Sequence, residues 1–257
     1  MNADNTNTKL GYFARGSGGR VGELVETWRV TTEARRTSDE YGVLFTAFFD
    51  EVEIAHTDVK AIVIASVVPQ IERYLYEACR RYFECEPIPF TATRQKLMEV
   101  KIDRPAELGA DLIAGAIGAV ARYGAPIIVL DYGTATTFAA ISREGAYLGT
   151  AIAPGIEISV NALVARAAKL PQITLEEAPA VAIGRETIAS LQSGIVFGFV
   201  GQAEAIVARI KAELGGEARV VATGGLAEIV ARHTRVIESV DPHLVLEGLR
   251  LYYDSLQ

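Results

Sequence analysis

Residues 127–140 read IIVLDYGTATTFAA. Four apolar residues run into Asp131, a Gly-Thr-Ala-Thr-Thr segment follows, and a second apolar run closes the stretch. The pattern predicts a buried strand, a tight turn bearing one carboxylate, and a second strand paired with the first. Gly133 has no Cβ, so a ligand can come close to the backbone there. Thr134, Thr136 and Thr137 offer hydroxyls and backbone N–H groups that suit an anion. Asp131, at the end of the strand, suits a hard cation such as Mg²⁺ held beside phosphates. Taken alone, the stretch fits equally well a hairpin whose Asp and Gly only shape the turn.

A second copy changes that balance. Residues 2–13, NADNTNTKLGYF, repeat the plan: a small polar turn, N-T-N-T in place of T-A-T-T, then an apolar strand. Two such hairpins, one opening each half of the chain, predict two similar lobes facing each other across a cleft, with lobes at 1–122 and 123–257. Clefts of this kind are the usual seat of a small-molecule site.

Composition bounds the function classes. With 257 residues the chain can bury a sizeable core. A net charge of −7 provides no basic excess to neutralise phosphates, which argues against a nucleic-acid partner. Asp111, Arg122 and Asp131 interrupt the most apolar region, so no membrane span is expected, and the absence of a charged-then-apolar leader points to the cytoplasm. Cys79 and Cys85 are the only cysteines, and His56, His233 and His243 are far apart, so a zinc site is not expected.

Element signals fill in the frame. Strands are expected over 6–13, 23–30, 61–68, 87–90, 147–153 and 219–222, with a Gly/Ser-rich turn at 14–20. Thr37 followed by Ser-Asp-Glu reads as a helix cap. Helices are expected over 70–82, 105–123, 159–169 and 200–214, from about 226, and over 243–253, with one more carrying Leu191, Ile195 and Phe199. Gly109, Gly115 and Gly118 weaken the 105–123 helix unless another backbone packs closely on it.

Read together, these motifs resemble the type III pantothenate kinases, of the acetate and sugar kinase, heat-shock ATPase and actin superfamily. The resemblance rests on Asn5-Thr6-Asn7-Thr8, Trp28-Arg29, Arg36 to Tyr41, Ser66-Val67-Val68-Pro69 and Gly109-Ala110-Asp111. It continues through Asp131-Tyr132-Gly133-Thr134-Ala135-Thr136-Thr137-Phe138, Ala153-Pro154-Gly155, Ile183-Gly184, Thr187 and Gln192-Ser193-Gly194. It closes with Thr223-Gly224-Gly225 and Leu246-Glu247-Gly248. The resemblance implies an α/β fold of two ribonuclease-H-like lobes around a central cleft, and ATP-dependent phosphorylation of pantothenate, the first step of coenzyme A biosynthesis. It also implies Mg²⁺, a monovalent cation (K⁺ or NH₄⁺) and a homodimer.

Residue by residue, the family's pattern makes Asp111 the catalytic base, whose simpler reading is a helix-start charge. It brings Asn5, Thr6, Gly133, Thr134, Gly224 and Gly225 to the nucleotide, Gly109 and Thr187 to the acceptor substrate, and Asp131 to the metal. The chain departs from the pattern at four places. The family's D-x-G-N-T has Asn2 at its Asp and Asp4 at its Gly, and the strand leading into it is expected to be missing. Leu112 replaces a substrate-binding Arg, and Ala139 a carboxylate. These losses predict weak or undetectable pantothenate kinase activity, with Asp4 as a partial replacement at the metal. The alternatives are a non-catalytic paralogue that regulates or binds a metabolite, or a kinase for a different small substrate.

Overall fold

The computed structural model describes residues 1–15, 21–167, 169–175 and 179–257. Most of the turn expected at 14–20 lies outside them. The chain forms two compact units: Met1–Leu97, Arg104–Gly118 and Val245–Gln257 in one, Met98–Asp103 and Ala119–Leu244 in the other. A single cut after residue 122 does not describe these units, because the C-terminal segment packs with the first.

The first unit carries β1 (Asn2–Ala3), β2 (Asn7–Arg15), β3 (Val21–Thr31), β4 (Val63–Ser66) and β5 (Ile88–Pro89), in the sheet order β3-β2-β1-β4-β5. β3, β2 and β1 are antiparallel neighbours; β1, β4 and β5 run parallel. Helix α1 (Ser38–Glu51) starts in a capping box: the Thr37 side chain accepts from the Glu40 N–H, and the Glu40 carboxylate accepts from the Thr37 N–H at 2.7 Å. α2 (Pro69–Tyr82) opens on a proline, whose missing N–H costs nothing in the first turn. Ile71, Leu75, Ala78 and Cys79 lie on its buried face and join Tyr41, Phe45 and Phe49 of α1 in one core.

The second unit repeats the plan. β6 (Ile127–Tyr132), β7 (Ala135–Ile141), β8 (Tyr147–Pro154), β9 (Arg219–Gly224) and β10 (Ser239–Val240) take the order β10-β9-β6-β7-β8. Here too a three-strand antiparallel meander is extended by two parallel strands on the side of its first member. The internal repeat read from the two hairpins is thus a repeat of sheet topology, and the α/β class is as expected.

Three helices differ from their sequence patterns. The single helix expected over 105–123 is a 3-10 turn, Pro105–Glu107, then an extended Leu108, then α3 (Ala110–Tyr123). The helix expected at 159–169 is α4 (Ile156–Arg166), which begins directly after Gly155. The two helices expected between 187 and 214 are one, α5 (Thr187–Glu213), because no proline interrupts them. By length and composition α5 is able to cross a bilayer. In this unit it instead packs Phe199, Val200, Ala203 and Val207 onto the core of the second sheet. Helices α6 (Ala227–Ala231) and α7 (Leu244–Asp254) complete the chain. α7 crosses α3 so closely that a Cβ on Gly248 would fall inside the Ala114 carbonyl. The glycine that permits this crossing belongs to α7; on α3 itself a Cβ at Gly115 would make only an ordinary 3.6 Å contact with the Val245 side chain.

Candidate functional site

Each unit carries its own half of the motifs. In the first, the Asp4 N–H donates to the Asn7 carbonyl at 2.9 Å, leaving Asn5 and Thr6 exposed at the tip of the β1–β2 turn. The Thr32 N–H ties the Thr6 carbonyl to the end of β3 at 2.9 Å. Asn2 is only 2% exposed. Its amide nitrogen donates to Asp4 Oδ1 at 2.8 Å, and its Oδ1 has no hydrogen-bond partner among the described residues. A neutral carboxamide is easier to bury than a carboxylate, but it leaves this position without the charge a divalent ion favours.

Asp111 lies in the first turn of α3, where its carboxylate accepts from the Leu112 N–H at 2.8 Å. Burial pushes its pKa above the usual carboxylate range; the Leu112 N–H and the positive charge of Lys9 pull part of the way back. A Cβ on Gly109 would stand 2.5 Å from Asp111 Oδ1, so a side chain there would turn the carboxylate out of this position. The Gly-Ala-Asp spacing therefore has a steric cause: the glycine leaves the space the carboxylate occupies. Lys9 was not among the candidates, although it directly precedes the apolar run of β2.

In the second unit, Asp131 pairs with Thr137 on β7 and Thr223 on β9. Gly224 follows Thr223 with φ +97°, and a Cβ on it would meet Asp131 Oδ1 at 2.6 Å and the Tyr132 carbonyl at 2.5 Å. Gly133 turns the chain, its N–H bonded to the Ala135 carbonyl at 3.1 Å. Gly155, missed as a site residue, donates its N–H to the Thr134 carbonyl at 3.1 Å and presses its Cα against the same turn, where any Cβ would collide. Asp131, Gly133, Thr134, Gly155 and Gly224 thus form one backbone cradle around a carboxylate. Thr136 and Thr137 instead bury their hydroxyls, neither with a partner among the described residues.

Gly225 is exposed, with open space where a Cβ would go. Beyond it, a cavity of about 450 Å³ is lined by Leu226, Ile229, Val160, Asn161, Ile173 and Leu175 among others. Thr187 is the exposed first residue of α5. Its approach is fixed by the Ser193 hydroxyl donating to the Ala182 carbonyl at 2.6 Å and by Gly184, packed against Ser190.

Comparison with known proteins now decides the family. Residues 1–209 match the family model described as type III pantothenate kinase. The chain belongs to the type III pantothenate kinase family. A relative from Roseiflexus sp. (strain RS-1), named type III pantothenate kinase, is 47% identical over 250 residues, covering 97% of this chain and 95% of its own length. Among solved structures, the activator of 2-hydroxyisocaproyl-CoA dehydratase from Clostridium difficile, with bound ADPNP, is similar at TM-score 0.52 and 14% identity, over 99% of this chain and 91% of that one. The ethanolamine utilization protein EutJ from Carboxydothermus hydrogenoformans is similar at TM-score 0.50 and 16% identity, over 98% and 88%. At such identities these two speak for the fold alone.

The residues fit the groups that a type III pantothenate kinase implies, unevenly. The Asp131 cradle combines a hard oxygen ligand with close backbone approach, the donor set for a cation and its phosphates. The Asn2–Asp4 pair supplies one carboxylate and one neutral oxygen. No group of three or more His, Cys, Asp or Glu side chains gathers as a metal cage among the described residues. A metal here would be held by single carboxylates together with the nucleotide's phosphates.

Proposed function

We propose that the protein transfers the γ-phosphoryl group of ATP to the hydroxyl of pantothenate, at a reduced rate. The observation that carries this reading is Asp111, a half-buried carboxylate with a raised pKa, beside Gly109. Phosphoryl transfer asks the protein chiefly for positioning and charge neutralisation, plus an acceptor for the hydroxyl proton. Asp111 is that acceptor. By the family's pattern Gly133, Thr134 and Gly224 serve the phosphates, Asn5 and Thr6 are nucleotide-binding residues of the first unit, and Gly225, with the adjoining cavity that Glu157, Asn161 and Gln172 line beside its apolar residues, takes the nucleoside. Gly109 and Thr187 lie toward the acceptor substrate. Asp131 would hold Mg²⁺, which would neutralise phosphate charge. A monovalent cation, a homodimeric assembly and a cytoplasmic location complete the reading, and light scattering at micromolar concentration tests the dimer.

The reduced rate follows from charge. Leu112, half-buried next to Asp111, gives an anionic substrate an apolar surface where the family has Arg. Asn2 adds no charge at the metal. Each loss costs ~1.5–3 kcal/mol, and two independent losses slow turnover by roughly 10²–10⁴. Ala139 is 2% exposed within β7, paired with Val129 and Thr150, so its side chain is part of the sheet's packing. The experiment is ADP release with and without pantothenate, for this chain and for Leu112→Arg combined with Asn2→Asp and Asp4→Gly. A large gain in the triple variant supports the reading. Turnover near 1 s⁻¹ in the unmodified chain, already in the usual enzyme range, would defeat the charge argument. Nucleotide binding without turnover in either protein would favour the non-catalytic paralogue.

A further inference from the structure

Trp28-Arg29 is a motif that the function proposed above leaves unused. Trp28 stacks on Phe48 of α1, ring centroids 5.8 Å apart, so β3 turns it toward the helical core. Successive side chains on a strand point to opposite faces, which sends Arg29 to the other face of the sheet. There it stands directly opposite Lys9 of β2, and Lys9 stands directly opposite Asn2 of β1. Arg29, Lys9 and Asn2 form a row across three strands, on the face where Gly11 meets Leu246 of α7.

The row carries unbalanced charge. The Thr32 N–H donates to the Thr6 carbonyl and the ladder alternates, so Lys9 and Arg29 are a non-hydrogen-bonded pair, the class with Cα atoms about 4.5 Å apart. Like charges so placed repel, and neither side chain has a hydrogen bond or ion pair among the described residues. Beside them Asn2, 2% exposed, gives its amide N–H to Asp4 and keeps Oδ1 without a donor among the described residues. Two cations without an anion and a buried acceptor without a donor suit a ligand that carries both an oxyanion and an O–H or N–H. The row is close to the chemistry, since the charge of Lys9 acts on Asp111. It is set back from the Asn5-Thr6 tip: Lys9 and Arg29 lie three residues before the Thr6–Thr32 level, roughly 10 Å along the strands.

We propose that Lys9 and Arg29 seat the carboxylate end of the acceptor substrate, and that Asn2 Oδ1 accepts from an O–H or N–H of the same molecule. The acceptor is then a hydroxy acid, its hydroxyl at Asp111 and its anionic end at the cation pair. This is the hold that remains for an anionic acceptor where Leu112 has removed the family's arginine. The assignment rests on the reading of Asp111 as the proton acceptor.

Isothermal titration of the full chain with pantothenate, its neutral alcohol analogue and ADP reads the seat without needing turnover. Lys9→Gln and Arg29→Gln are each expected to weaken pantothenate about tenfold or more and to leave the alcohol analogue and ADP within about twofold. Both should melt no lower than the parent, because each removes a repulsion. Lys9→Arg and Arg29→Lys should keep most of the affinity. In steady-state assays the loss should fall on KM rather than kcat. Unchanged pantothenate affinity in both Gln variants overturns the inference. So does a loss confined to ADP, which would give the pair to the nucleotide's phosphates, or an equal loss for the alcohol analogue, which would show a misshapen site. A parent that needs both cations to bind pantothenate yet releases no ADP keeps the seat and defeats the proposed transfer. A parent that turns over with KM unmoved in both variants does the reverse. A parent that binds no pantothenate defeats both.

Discussion

Asp111 concentrates the chemistry proposed for this chain in one carboxylate. Asp111→Asn is expected to lower kcat by about 10²–10⁴ with little change in nucleotide affinity, measured by steady-state kinetics and by titration of ADP. Burial raises the folded-state pKa above 3.8, so the acid limb of kcat/KM lies higher than for an exposed aspartate. The same shift bears on stability with the opposite preference. A carboxylate whose folded pKa is raised destabilises the fold increasingly as pH climbs through the window from its unfolded to its folded value. Asp111→Asn should therefore raise Tm at pH 7 and match the parent near pH 3. The glycine pair after β9 separates conformational need from contact. Gly224→Ala places a Cβ at φ +97° against Asp131 and Tyr132, at a cost of ~1–3 kcal/mol or more. Gly225→Ala meets open space and should unfold in urea within ~0.5 kcal/mol of the parent. Asp111, Asp131 and these glycines were singled out in the sequence by their resemblance to the family's motifs. The orphaned Asn2 oxygen, the charge of Lys9 beside Asp111 and the tight seat of Gly155 against the Gly133-Thr134 turn were not, since each depends on a neighbour from another element.

Helices α3 and α7 show what periodicity conveys and what it misses. Their apolar stripes were readable, as were the cap at Thr37 and the proline opening α2. The break before α3 was not, because Pro105 and the apolar spacing after it satisfy a helix equally well. Gly248→Ala tests the crossing. The added methyl would overlap the Ala114 carbonyl, backbone that cannot rotate away, so about 2–4 kcal/mol of stability should be lost, in the range of severe overpacking. Gly115→Ala, whose Cβ would make an ordinary 3.6 Å contact with Val245, should be neutral or slightly stabilising, since alanine favours helix by ~1 kcal/mol. Denaturation of both variants by urea decides it. Equal stability of the two would show that α7 shifts to relieve the overlap.

For the whole molecule, ligand linkage is the natural probe. A nucleotide that binds only the folded state stabilises by about 2.7 kcal/mol at a hundredfold excess over Kd, which raises Tm by roughly 5–10 °C for a chain of this size. Mg·ADP should exceed ADP alone in this assay, and the difference should vanish in Asp131→Asn if that carboxylate holds the ion. The order of most strands and helices and the repeat of the hairpin plan followed from local chemistry, since apolar alternation, caps and glycines at turns are written residue by residue; the family followed from the resemblance of the motifs. Tertiary structure alone decided that α7 joins the first sheet's unit and that its Gly248 comes up against the Ala114 carbonyl of α3. Such outcomes depend on which distant surfaces exclude water together and which backbone groups find partners across the sheet, and no window of neighbouring residues contains either quantity.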